Sequence, residues 1–337
     1  MINLFERLSS FYAPSGSEET LAKFIVREVS PYAECHIQPN GNVICLKKGR
    51  KSALKKVMVD AHTDEVGIIA TSFLSDGFIR FDTLGGVSPS VMLGRRVIFK
   101  NGTIGVVGIK PTHLASAEEK KKFPSVGSLY IDIGAKSEEE AKQYVSPGDS
   151  AVFISDYTKM SDDTFKVRAI DDRAGVAVLI TLLKEEAEYD FCATFTVQEE
   201  LGCRGARTAA FALNPDAAIV LEATTAADLH GVSADNRVCV LGEGPVLSFM
   251  DPGTLYDKRL YNAALNSGLK YQIKEKVAGG NNASAIHLTG SGCPTLAISL
   301  PCRYIHSPSS VASISDLEDM YKLAKKLVTD VAGGKVL

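Results

Sequence analysis

The sequence predicts an α/β fold: a mixed, mostly parallel sheet flanked by helices, with an inserted β-rich, barrel-like domain. Three observations predict it. Both ends of the chain alternate helix and strand patterns, as in DRAGVAVLITLLKEEAE, DFCATFTV, GCRGARTAAFAL and DAAIVLE, the alternation that builds a partly parallel sheet with helices on its faces. The middle, from about Val66 to Asp162, is instead a series of short alternating segments (GIIATSF, GFIRFDTL, RRVIFKNGTIGVVGI, DSAVFISDY) separated by Gly and Pro turns and the Asn101-Gly102 pair. A chain of 337 residues also exceeds what one core usually organises. The expected division is one α/β domain from residues 1–66 and 163–337, with residues 67–162 inserted.

In chain order, Leu4 and Leu8 begin a helical pattern that Pro14-Ser-Gly16 breaks. A second helix opens at Ser17, with Leu21, Phe24, Ile25 and Val29 on one buried face. The segment CHIQPNGNVICLKKG reads as a hairpin around Pro39-Asn-Gly-Asn42. KKVMVDAHTD is a short apolar strand ending near His62. Within the middle block only SEEEAKQY has helical character. After the alternating segments named above, CPTLAISLP is a further strand, and Ser315-Asp-Leu-Glu318 reads as a capping box opening the last helix through Met320, Leu323 and Leu327.

Composition excludes several functions. A net charge of −3 and a pI near 6.1 give no electrostatic reason to expect nucleic acid or an anionic membrane as partner. No apolar run approaches the ~18 residues that span a bilayer. The lysines of EEKKKF read as a solvated surface loop. Seven cysteines form no C-x-x-C pair, and the N-terminus reads as helix rather than as a secretory signal; a reducing cytoplasm is the expected setting.

Ligands of an open α/β sheet bind in the crevice outside the carboxyl ends of its strands. The sequence puts His62-Thr-Asp64 after VMVDA, Glu199-Glu200 after ATFTVQ, Glu222 after AAIVL, His306 after LAISLPCRYI, and Asp171-Asp172 at the head of the helix beginning DRAGV. Taken singly, each residue is more often a solvated charge, a cap or a satisfied polar group. Together they deliver imidazole and carboxylate from five segments to one edge. Oxygen and nitrogen donors without thiolate suit Zn, Co or Mn, and a set this acidic could hold two cations sharing a bridging carboxylate. Such a pair would offset the repulsion between adjacent Glu199 and Glu200 and generate a hydroxide nucleophile. One glutamate could bind metal while its neighbour acts as general base. Asp64, two positions from His62 in an extended segment, could hold the distal nitrogen of that ring.

AHTDEVG, AIDDRAGV, VQEELGCRGA, AAIVLEATTAAD and RYIHSP, with LGEGPV and AIHLTGSGCPTLAISLPCRYIHSP beside them, resemble the two-metal, co-catalytic peptidase clan. More narrowly they resemble its tetrahedral (TET), glutamyl and deblocking aminopeptidases, over nearly the whole chain and in order. The resemblance implies a peptidase that removes N-terminal residues from peptides by a metal-bound hydroxide. Asp171 would bridge two divalent ions, Zn or Co, with Glu200 and His306 completing one site and His62 and Glu222 the other. Glu199 would be the general base and Asp64 the orienter of His62. It also implies that the insert builds dimers, which assemble into dodecameric shells. The chain departs from the family pattern at Glu222 and Asn282, where many relatives carry Asp.

Overall fold

The computed structural model describes residues 1–337, the side chain of Glu119 excepted. Its centre is an eight-stranded sheet in the spatial order Glu34–Ile37, Val43–Lys47, Phe191–Thr196, Val57–His62, Ala217–Thr225, Thr295–Cys302, Val246–Leu247, Gln272–Ile273. The four strands from Phe191–Thr196 to Thr295–Cys302 are mutually parallel; Val43–Lys47 runs antiparallel to Phe191–Thr196 and to its hairpin partner Glu34–Ile37, and Val246–Leu247 runs antiparallel to Thr295–Cys302 but parallel to Gln272–Ile273. The parallel strands are apolar on both faces because helices cover both, so they read as continuous hydrophobic runs rather than as alternation.

The helix Ile170–Lys184 shows why. Nearly every side chain from Ala174 to Leu183 is buried, as expected of a helix clasped between the sheet and other helices. It packs on Val57–His62 and Ala217–Thr225 and is covered by Ile2–Ser9 and Ile314–Ala332. Its first residues are not helical: Ala169 has φ 55°, Asp171 and Asp172 lie outside the helical region, and the peptide between those two is cis.

The inserted element is a closed barrel of six strands, in the order Gly67–Phe73, Ile79–Leu84, Leu129–Asp132, Ile104–Ile109, Arg96–Phe99, Ser150–Phe153. It has its own core, in which Ile68, Phe81, Val97, Phe99, Ile131 and Phe153 are buried. Short helices at Pro89–Met92 and Glu138–Ala141 interrupt it, the latter capped by Ser137, which accepts from the Glu140 N–H. A third sheet joins Thr158–Lys159, Thr164–Val167 and Ser310–Ser313.

Two local expectations are corrected. The last helix starts at Ile314, and its cap is Ser313, whose hydroxyl accepts from Asp316 N. Ser315 instead bonds Asp163, and that partner from outside the helix displaces the capping box by two residues. The second helix begins at Glu19 without a side-chain cap, because Glu18 accepts from Gly16 N and Gln198 N.

Candidate metal centre

Glu222 does not end its strand, as the sequence reading had it; Ala217–Thr225 runs three residues further. What ends is the neighbour. Pairing with Val57–His62 stops at Val220 opposite Asp60, while pairing with Thr295–Cys302 continues to Thr225 opposite Cys302. The sheet splits there, and Glu222 faces the gap. His62 closes its strand on one side of the split, paired to Thr196, and the chain beyond Thr196 carries Glu199 and Glu200. Asp171 comes from the irregular start of its helix, and His306, at φ 58°, from the loop after Thr295–Cys302.

These segments converge on one carboxylate. Asp171 Oδ1 lies 3.1 Å from His62 Nε2, and Asp171 Oδ2 lies 3.1 Å from His306 Nε2. A glutamate accompanies each imidazole: Glu222 Oε1 is 3.4 Å from His62 Nε2 and Glu200 Oε1 is 3.3 Å from His306 Nε2. The far ring nitrogens face carbonyls, His62 Nδ1 toward Asp64 O at 3.1 Å and His306 Nδ1 toward Gly86 O at 2.9 Å. The Asp64 carboxylate is 3.4 Å from His62 Nδ1. It also accepts from the N–H groups of Glu199 and Glu200 at 2.9 and 3.2 Å and from Ser15 Oγ at 2.6 Å. The sequence pointed Asp64 only at His62; its hold on the loop carrying both glutamates has no local signal, since it joins residues 135 and 136 positions apart.

The charge balance is lopsided. Burial would lower the His62 pKa, but Glu222, Asp171 and Asp64 outweigh it and raise it well above its ordinary value. His306, likewise opposed by burial, is raised to about 10 by Asp171 and Glu200. Burial drives Glu200 and Glu222 well upward, and the charge on Asp171 adds to it. Glu199 is raised to about 7, by burial and then by Asp171 and Asp64 against the pull of His62. Carboxylates pushed this way are short of positive charge.

Metal fits this deficit. Glu200 Oε1, Glu222 Oε2 and Asp172 Oδ2 are buried without a hydrogen-bond partner, and buried polar atoms in native proteins are rarely left so. Donor atoms of His62, Asp171 and Glu200 lie within 4.8 Å of one another, as do those of His62, Asp172 and Glu222. The second set contains Asp172, which sequence reasoning noted beside Asp171 but did not select. Its Oδ1 accepts from Gly175 N at 2.8 Å, turning the side chain back onto its own helix. Asp171, by contrast, is reached by both imidazoles.

A fold of this kind with an imidazole and carboxylate cluster at the split of its sheet defines a metal-dependent hydrolase. Comparison with known proteins narrows that class. The sequence pattern of the M42 glutamyl aminopeptidase family matches residues 41–323. A relative from Acetivibrio thermocellus is 38% identical over 330 residues, covering 96% of this chain and 97% of its own. The lysyl aminopeptidase of Pyrococcus furiosus is 33% identical, covering 88% of this chain and 87% of its own. Among solved structures, a TET aminopeptidase from a marine sediment archaeon of the Thaumarchaeota superposes with a TM-score of 0.94 at 32% identity, over 99% of this chain and 97% of that one. The TET1 peptidase of Pyrococcus horikoshii, which assembles into a tetrahedron or a large octahedral shell, superposes with a TM-score of 0.83 at 31% identity, over 97% and 98% of the two chains. The chain belongs to the M42 family of aminopeptidases, metal-dependent hydrolases that act on peptides.

Proposed function

We propose that the chain removes N-terminal residues from peptides with two divalent cations, Zn or Co, bound at Asp171. The observation that carries this reading is the placement of two imidazoles on opposite oxygens of one carboxylate, each with its own glutamate. Asp171 would be shared, with His62 and Glu222 completing one centre and His306 and Glu200 the other. Bound there, the cations would supply Lewis acidity toward the scissile carbonyl and the attacking water. Glu199 lines the same cavity as Asp171, Glu200, Glu222 and His306, with no imidazole in ion-pair contact among the described residues. It takes the proton of the attacking water and returns it to the departing amine, a task suited to a carboxylate titrating near neutrality. Asp64 orients His62 and, through two backbone N–H groups, fixes where Glu199 stands.

The test uses aminoacyl anilides and their N-acetyl forms, after chelation and after re-addition of Zn, Co, Mn or Mg. Only the free-amine substrates are expected to turn over, and only with metal restored, at two ions per chain by mass spectrometry. Turnover of the acetylated form, or of chelated protein, overturns the reading.

We also propose residues 1–66 and 163–337 as the catalytic unit and 67–162 as the unit through which copies pair, building the dodecameric shell implied by the family. The assemblies of the P. horikoshii relative support this, and light scattering on purified protein tests it. The seven free cysteines support a cytoplasmic setting; no helix among the described residues is long and apolar enough to cross a membrane. The names of the family and of its lysyl member point to opposite side chains, so they do not choose the residue this enzyme removes.

A further inference from the structure

The edge hairpin of the central sheet sets two thiols face to face. In its register Cys35 stands directly opposite Cys45. Gln38 N donates to Asn42 O at 2.8 Å, which makes that pair a hydrogen-bonded one. Hydrogen-bonded and non-hydrogen-bonded pairs alternate along an antiparallel ladder, so counting back from Gln38 leaves Cys35 and Cys45 at a non-hydrogen-bonded position. Cα atoms at such a position lie about 4.5 Å apart, within the roughly 4.4–6.8 Å that a disulfide spans. On its other side Cys45 pairs with Ala193, which leaves Cys35 as its cross-strand thiol.

Packing explains Cys45, which is wholly buried in the main core. It explains Cys35 poorly. Cys35 is only part-buried, on a strand whose other residues, Glu34, His36 and Ile37, are exposed, and any small apolar side chain would serve there. The two thiols also differ in acidity. The Cys45 thiol, hydrogen-bonded to Cys35, holds the Cys35 pKa below its ordinary value, against partial burial and the charge of Glu34. Cys35 and burial together push Cys45 upward. The sulfur that solvent can reach is therefore the one that ionises first, which suits an attacking thiol with a resolving partner behind it.

We propose that Cys35 and Cys45 are a peroxide-sensitive dithiol that closes into a disulfide and fastens the edge hairpin. The Cys35 thiolate attacks a peroxide oxygen; an S–O bond forms, the O–O bond breaks and hydroxide leaves, giving the sulfenic acid. The Cys45 sulfur then attacks that of Cys35: the S–S bond forms, the S–O bond breaks, and the departing hydroxide takes the Cys45 proton and becomes water. Two thiols are oxidised and one peroxide is reduced. In a reducing setting both stay thiols, as they are here. The ring so closed contains Asn42, wholly buried, whose side chain donates to Gly205 O at 2.9 Å and accepts from Val197 N at 3.1 Å. Val197 and Gly205 bracket the loop of Glu199 and Glu200, so the hairpin that the disulfide fastens is one that supports the candidate centre.

The experiment treats Zn-loaded, full-length protein with hydrogen peroxide, alkylates it in denaturant and maps the peptides by mass. Cys35 and Cys45 should appear joined, in a link that reductant reverses. Amide exchange across Glu34–Gln38 should slow at least about threefold in the joined form. In Cys45→Ser the sulfenic acid has no resolving thiol, so dimedone should label Cys35 at least about tenfold more than in wild type. Melting temperature shows that this variant folds, and Cys35→Ser, altered at the part-exposed position, should leave Cys45 alkylatable after the same treatment. Wild-type Cys35 carried on to sulfinic acid with Cys45 still alkylatable would overturn the proposal. So would equal dimedone labelling of wild type and Cys45→Ser, unchanged exchange in the joined form, or survival of both thiols at peroxide levels that oxidise free cysteine.

Discussion

Glu199 and Glu200 are adjacent carboxylates that face different partners. Glu200 Oε1 approaches His306 Nε2, whereas Glu199 Oε1 accepts from the Cys203 thiol at 3.5 Å. Their main-chain N–H groups are held on one Asp64 carboxylate, which separates the two roles without needing the side chains to do it. Glu199→Gln should therefore leave metal content at the wild-type level and lower kcat by about 10²–10⁴, the usual worth of a general acid–base group. Metal analysis and steady-state kinetics on one preparation check it; kcat within about threefold of wild type would remove Glu199 from the mechanism. Most members of this cluster were legible in the sequence because they end or follow an apolar strand or head a helix, a position with one geometric meaning in an α/β sheet; Glu222, inside Ala217–Thr225, is the exception. The second role of Asp64 was not legible: its hold on the N–H groups of Glu199 and Glu200 joins residues 135 and 136 positions apart, and only the fold brings them together.

At the level of elements, types were readable and edges less so. The strand through Glu222 outruns its expected end because its neighbour diverges, and the last helix starts on Ser313 because Asp163 captures Ser315; both causes are tertiary. The Glu18 turn is a third case with a measurable consequence. Glu18 is 5% exposed and joins the head of helix Glu19–Val29 to Gln198 in the loop that carries Glu199 and Glu200. Burial, with Asp64 adding to it, raises its pKa from 4.5 to about 7. Between those values the unfolded chain gives up its proton before the folded one does. The folded state then binds more protons than the unfolded, and stability falls as pH rises through this window. The full cost above pH 7 is on the order of 3 kcal/mol. Glu18→Gln keeps an acceptor for Gly16 and Gln198 and removes the charge. Melting curves should show the variant close to wild type near pH 4.5 and progressively more stable than it toward pH 8, by several degrees; a difference that does not vary with pH would refute the account.

The whole molecule is more tightly coupled than an α/β body with an appended barrel would be. The barrel reaches the proposed metal centre through the turn after Ile79–Leu84, where the Gly86 carbonyl faces His306 Nδ1. Just before it, Gly85 has φ +84°, and an added Cβ would stand 2.9 Å from Val66 Cγ1 and 3.1 Å from both Cβ and Oε2 of Glu200. Tyr12 ties the other side, donating to Ser150 O at 2.7 Å. A barrel that only paired copies of the chain would not need to touch residues proposed to hold a metal. Gly85→Ala separates this coupling from ordinary backbone strain, because the barrel supplies its own control. Gly102, in the Asn101-Gly102 turn, has φ +91° and nothing within 4 Å of an added Cβ. Both substitutions incur the left-handed penalty of about 1–2 kcal/mol, so both should lower the melting temperature. Only Gly85→Ala pushes on Glu200. Metal analysis should find Gly102→Ala with the wild-type complement and Gly85→Ala short of the ion that His306 and Glu200 would hold, with turnover reduced in parallel. Equal metal content in the two variants would mean that the turn merely abuts the centre and that the barrel can be treated as separate from the chemistry.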